Sequence, residues 1–131
     1  MSVDEIALTL PADEAFARVA HLVLGGLAVR LDLTVEVLED LELGLDTLLD
    51  RLEEASTDEV TVRIRVGDDE LQTLVGPFTR DIRGELERET EDLDLRRILR
   101  AVAERIEVTE GDGGQWVELT TRVERTRESV S

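Results

Sequence analysis

The 131-residue sequence predicts an α+β fold: a two-layer sandwich of a mixed, mostly antiparallel sheet with helices on one face. Three observations predict it. Residues 60–66, Val-Thr-Val-Arg-Ile-Arg-Val, alternate strictly with period two and turn at Gly67-Asp68-Asp69. Residues 105–109 and 115–123 form a second hairpin pattern about a glycine-rich turn. Ahead of both hairpins, two stretches carry apolar residues at helical spacing, as a helix layer requires.

Ile6-Ala-Leu-Thr-Leu10 alternates and stops at Pro11, which suits a first strand. Asp13 then caps a helix carrying Phe16, Val19, Ala20, Val23 and Leu27. Gly25-Gly26 weakens that helix by about 1 kcal/mol per glycine relative to alanine. Such a pair marks close packing or a local break. Thr34 caps the second helix, with Val37 at its hydrophobic fourth position. Leu38, Leu41, Leu45, Leu48, Leu49 and Leu52 form its buried stripe, and Glu39, Glu42, Asp46, Asp50 and Glu53 its acidic face. Without lysine, few partners on the helix itself relieve that repulsion.

Glu70–Val75 returns as the weaker partner of the 60–66 strand, and Gly76-Pro77 breaks it. Residues 78–92 are polar and loosely periodic, with Phe78, Ile82 and Leu86 every fourth residue, so a short helix is expected. Leu95, Ile98, Leu99 and Val102 mark a third long helix with Arg96, Arg97 and Arg100 on its outer side. That cluster reads as a solvated face or as a small basic patch for an acidic partner. Residues 105–109 and 115–123 close the order β-α-α-β-β-(α)-α-β-β, with no repeat or linker. One domain over residues 1–125 and a flexible tail over 126–131 are expected.

Composition excludes several functions. The formal charge is −17, from 32 acidic residues against 15 basic ones, and every basic residue is arginine. Nucleic acid and anionic lipid select cationic surfaces, so neither is an expected partner. Cysteine is absent, which removes disulfides, thiolate zinc sites and cysteine nucleophiles. Lysine, asparagine and tyrosine are absent too, consistent with a GC-rich bacterial or haloarchaeal genome. The start, Met1-Ser-Val-Asp-Glu5, has no basic segment of a signal peptide, and no apolar run approaches the roughly 18 residues of a membrane span. A cytoplasmic location is expected.

The single histidine, His21, leaves no material for a histidine-based metal site or a Ser/His pair, and reads as an ordinary structural or surface residue. The acidic helix face reads as solvated, since no loop with calcium-ligand spacing accompanies it. Gly111-Asp-Gly-Gly114 is a hairpin turn, because no helix follows to complete an anion site. Parity places Trp116, Glu118 and Arg122 with Arg63 and Arg65 on the sheet face away from the helices. There Trp116 either anchors an interface or packs over arginine stems.

Residues 22–30, Leu-Val-Leu-Gly-Gly-Leu-Ala-Val-Arg, leading into 39–46, Glu-Asp-Leu-Glu-Leu-Gly-Leu-Asp, resemble the first two helices of the histidine-kinase-type ATPase domain. The likeness is to the RsbW-type anti-sigma-factor serine kinases within that class. Arg105-Ile-Glu-Val-Thr with Gly114-Gln-Trp-Val-Glu-Leu119 resembles the family's closing hairpin. The resemblance runs from Ile6 to Val123. It implies the fold, homodimers, and binding of a sigma factor and of an anti-anti-sigma antagonist.

The family's nucleotide residues are replaced at each box. Its glutamate and magnesium-holding asparagine on the second helix fall on Thr47 and Arg51, and a guanidinium offers only donors where magnesium wants hard oxygen. Asp46 and Asp50 keep the spacing one residue earlier, about 100° round the helix. The adenine-accepting aspartate becomes Pro77; the Gly-x-Gly over the phosphates becomes Leu93-Asp94-Leu95; the closing threonine becomes Gln115. The expected protein is therefore a non-catalytic binding module without cofactor, metal or catalytic residues. Two alternatives are a kinase using Asp46 or Asp50 with Glu42, and a purely structural dimerising subunit. The family's first-helix arginine at the shared partner surface falls on His21, with Arg18 one turn before it. With Trp116, these are the candidate partner residues.

Overall fold

The computed structural model describes residues 4–11, 14–54, 59–79, 81–87 and 95–123. In them the chain runs β1 (Asp4–Pro11), α1 (Glu14–Leu31), α2 (Val35–Glu54), β2 (Glu59–Val66), β3 (Glu70–Phe78), α3 (Ile82–Glu87), α4 (Leu95–Val102), β4 (Arg105–Gly111) and β5 (Gly114–Arg122). The strands form one open sheet in the order β1-β2-β3-β5-β4. The two-layer α+β architecture is the expected one, and every strand pairing is antiparallel. Asp13 and the tail over 126–131 lie outside the described residues.

Period-two alternation decides which side of the sheet is covered. Val60, Val62, Ile64 and Val66 of β2 are buried with Leu71 and Val75 of β3 and Val117 and Leu119 of β5. They meet Phe16, Ala20, Leu24, Leu27 and Ala28 of α1, and Leu41, Leu45, Leu48 and Leu49 of α2, in one core. The expected α2 stripe is therefore the buried one, with Leu38 half-buried; the Leu52 side chain is not described. Helix α2 comes close to its neighbours at Gly44. A Cβ there would stand 3.2 Å from a Leu119 methyl and 3.3 Å from Val102.

The turn between α1 and α2 is short because two caps meet in it. The Asp32 N–H reaches the Val29 carbonyl, and the Leu33 N–H reaches that of Ala28, with Asp32 left-handed at φ 56°. That is a Schellman ending. One residue later the Thr34 hydroxyl accepts the Val37 N–H at 3.2 Å, so Thr34 caps α2 as expected.

Three expectations are corrected. Helix α1 runs unbroken through Gly25-Gly26, and a Cβ on either glycine would meet nothing within 4 Å, so the pair marks neither a break nor close packing. Strand β3 is not broken at Gly76-Pro77 but continues to Phe78, with a register shift between Val75 and Phe78 and a cis Gly76–Pro77 peptide. A proline, lacking the ladder donor, is accommodated where the pairing is irregular. The last hairpin is tighter than the sequence pattern implies. Residue Gly111 pairs with Gly114, leaving Asp112-Gly113 as the loop, and Gly113 takes φ 85°, a conformation glycine adopts without penalty.

Candidate functional site

Helix α2 carries the positions where the resemblance would put nucleotide chemistry. The Thr47 hydroxyl donates to the Leu43 carbonyl one turn earlier at 2.7 Å, so its oxygen is turned onto its own helix. Arg51, half-buried, follows one turn on with donors only. Asp46 is engaged elsewhere: its Oδ1 accepts from His21 Nε2 at 2.8 Å, and Glu42 stands 4.0 Å from the other ring nitrogen. Asp50 is exposed. Among the described residues, no group of three His, Asp or Glu side chains is arranged to hold a metal ion.

The acidic face of α2 thus finds a partner that its own sequence does not supply. It comes from α1. His21, Asp46 and Glu42 are each part-exposed, so this is an interhelical clasp at the surface.

Pro77 packs beside the closing hairpin. A Cβ on Gly113 would stand 3.0 Å from its ring. Phe78, Ile82 and Leu86, the loosely periodic set, are all buried, although Phe78 ends β3 instead of belonging to α3. Leu93 and Asp94 lie outside the described residues, and Leu95 opens α4 with its side chain not described.

Gln115, in the place of the closing threonine, ties α3 to the hairpin. Its Oε1 accepts the Arg83 backbone N–H at 3.0 Å, while Nε2 donates to Glu110 at 3.2 Å and to Asp81 at 3.5 Å. Arg83 donates in turn to the Val108 carbonyl at 2.9 Å and to Glu110 at 3.4 Å. Asp81 accepts the Gly84 N–H at 3.1 Å and so caps α3. Sequence reasoning missed Asp81 and Arg83. The signal was an aspartate three residues ahead of Gly84, directly before Ile82, the spacing of a helix cap.

Trp116 lies on the sheet face away from the helices, as parity requires, because its neighbours Val117 and Leu119 point into the core. Its ring covers Gly76 and Gly111. A Cβ on Gly76 would stand 2.6 Å from it, and one on Gly111 2.9 Å. The indole N–H donates to the Asp112 carbonyl at 3.1 Å. Two glycines thus provide the floor for a half-buried tryptophan whose polar edge is satisfied.

The candidate partner residues do not form one site. Arg18 is exposed on α1 with His21 one turn on, in the helix layer, whereas Trp116 is on the far side of the sheet. Beside Arg18 the structure adds residues that the sequence reading passed over. Leu22 and Val29 are 74% and 79% exposed, and with Gly26 they continue the Arg18 face at helical spacing. They were legible as apolar residues outside the buried stripe. Leu24, also passed over, is core.

These elements define a class by fold: an α+β sandwich of one five-stranded antiparallel sheet with its helices on one face. No family model and no curated protein matches the chain. Among solved structures it is similar to the RsbU and RsbW domains of Rv1364c from Mycobacterium tuberculosis, with TM-score 0.69 and 18% identity. That match covers 98% of this chain and 35% of the other, so the chain spans about a third of that chain's length. The likeness supports an RsbW-like fold. No helix among the described residues is long and apolar enough to cross a membrane.

Proposed function

We propose that this chain is a non-catalytic regulatory module, an RsbW-like protein that acts in the bacterial cytoplasm by holding another polypeptide. The observation that carries this reading is the exposed apolar stripe of α1, Leu22 and Val29 with Arg18 at its end. The partner class is a sigma factor or an anti-anti-sigma antagonist. The charge of −17 favours a partner with a basic surface, such as a sigma factor's DNA-binding face. A second contact on the outer sheet face, centred on Trp116, accounts for a homodimer.

Loss of nucleotide chemistry is supported by the replaced side chains. Thr47 bonds its own helix, Pro77 has no side-chain acceptor, and Gln115 joins α3 to the closing hairpin. The reading therefore predicts no saturable binding of magnesium-ATP in calorimetric titration. Copurification from a bacterial lysate recovers a sigma factor or antagonist with the wild-type chain and loses it with Leu22→Asp. Micromolar ATP binding would overturn the loss of nucleotide chemistry, and phosphate transfer to an antagonist serine abolished by Asp50→Ala would establish the rearranged kinase.

A further inference from the structure

Helices α3 and α4 and the edge strand β4 border an open pocket of about 350 Å³. Among the described residues, Leu86, Ile106 and Val108 supply its apolar surface; Arg83, Arg96 and Arg100 supply guanidiniums, and Glu87 a carboxylate. The described lining is therefore net positive in a chain with 32 acids for 15 arginines. In such a chain each guanidinium is expected to find a carboxylate. Arg83 does so, with Glu110 and the Val108 carbonyl. Arg96 and Arg100 have no hydrogen bond or ion pair among the described residues. They sit one turn apart on α4, a spacing at which like charges repel unless something between them is negative.

We propose that this pocket is a binding site for a small organic anion: one carboxylate or phosphate head on a compact apolar body. Arg96 and Arg100 take the head, since a guanidinium pairs two donors with two oxygens of either group. The apolar body lies on Leu86, Ile106 and Val108, and the volume is in the range of pockets for small ligands. The wall is held in place beforehand. Gln115 fixes the Arg83 backbone, Asp81 caps α3, and the Arg83 guanidinium is locked onto β4, so little ordering remains for the ligand to impose. The site is separate from the α1 face and holds or fails independently of the function proposed above.

Titration of the full chain with phenyl phosphate, followed by backbone amide resonances, tests it. The expected result is a saturable shift confined to residues 83–87, 96–100 and 106–108, with a dissociation constant below about 1 mM. Phenylacetate binds at the same residues more weakly, having one charge. Arg96→Gln with Arg100→Gln weakens binding at least about tenfold, and Glu87→Gln strengthens it about threefold by removing the opposing carboxylate. The dispersed spectrum of each variant reports that it folds. Benzyl alcohol binding as tightly as phenyl phosphate would overturn the anionic head. Inorganic phosphate binding as tightly would overturn the apolar body. Unchanged affinity in the double arginine variant, or no saturable shift, would overturn the site.

Discussion

The imidazole of His21 on α1 donates through Nε2 to the Asp46 carboxylate on α2 at 2.8 Å, joining the two long helices across their solvent edge. The ring stands between Asp46 and Glu42, so the only histidine of the chain answers part of its densest acidic face. The two side chains are 38% and 42% exposed, and solvent screening limits the pair to about 0.5–1 kcal/mol. A double-mutant cycle of His21→Ala and Asp46→Ala, read from urea midpoints, should give a coupling of that size. If the two losses simply add, the clasp contributes nothing.

Glycine in a helix interior is unfavourable by about 1 kcal/mol relative to alanine. At Gly25 and Gly26 nothing in the chain occupies the space a methyl would take. Gly25→Ala and Gly26→Ala should therefore each raise stability by about 0.5–1 kcal/mol, measured by thermal or urea unfolding. Gly26 lies between Leu22 and Val29 on the exposed stripe. Gly26→Leu should thus preserve the fold and impair capture of the partner. Equal capture by that variant would move the partner surface off α1.

Thr73 is buried between Ile64 and Leu119 on the core face of the sheet, and its hydroxyl is without a hydrogen-bond partner among the described residues. A buried polar atom left unpaired carries a desolvation penalty of about 1–3 kcal/mol. Valine has the same shape and β-branching without that atom. Thr73→Val should raise stability by about 1 kcal/mol, and an unchanged unfolding midpoint would mean that the hydroxyl is satisfied in solution.

The elements that could be read from sequence are those whose pattern is local. The alternation of Val60, Val62, Ile64 and Val66 specified both a strand and its buried face, and Thr34 three residues before Val37 specified a cap. What could not be read depended on pairing across the chain. Pro77 argued for a strand end because its missing donor matters inside a regular ladder, yet the ladder shifts register there. Gly76 gave no local hint of its role, which is to lie beneath Trp116, forty residues on. Likewise Gln115 was visible as a missing threonine, but its grip on Arg83 required α3 to fold back over the hairpin. His21 was assigned to the partner surface from the resemblance, and its bond to Asp46, twenty-five residues away, had no local signal.

Glu118 on β5 faces Glu107 on β4 directly across the ladder. Partial burial, then the hydrogen bond and like charge of Glu107, push its carboxyl above the ordinary value of 4.5, against the weaker pull of Arg65 and Arg105. A raised value means that the folded chain holds this proton more tightly than the unfolded one. The stabilising contribution is complete below the ordinary value and is lost as pH rises through the folded one. Glu118→Gln should accordingly stabilise by about 0.5 kcal/mol at neutral pH, the scale of a cross-strand charge pair. Below the ordinary carboxylate range the gain should vanish. A gain that is the same at both pH values would assign it to packing.

Gln115 is the residue on which the fate of α3 turns. Its carbonyl takes the Arg83 N–H, and its amide group bridges Asp81 and Glu110, so one side chain connects the start of α3 to both strands of the closing hairpin. Helix α3 has six residues, too few to be stable through its own hydrogen bonds. Removing the amide should therefore release α3 before it disturbs the sheet. Gln115→Ala is expected to cost about 1–2 kcal/mol. It should speed hydrogen exchange at Arg83, Gly84 and Leu86 at least about tenfold, while the amides of Val117 and Leu119 change only with global stability. Gln115→Thr should behave in the same way, because its shorter side chain lacks the second polar arm. If the proposed non-catalytic reading holds, neither variant should gain affinity for magnesium-ATP, since Pro77 offers no side-chain acceptor and Arg51 only donors. Saturable ATP binding by Gln115→Thr but not by the wild-type chain would assign the proposed loss of nucleotide binding to this one contact and not to the whole set of replacements.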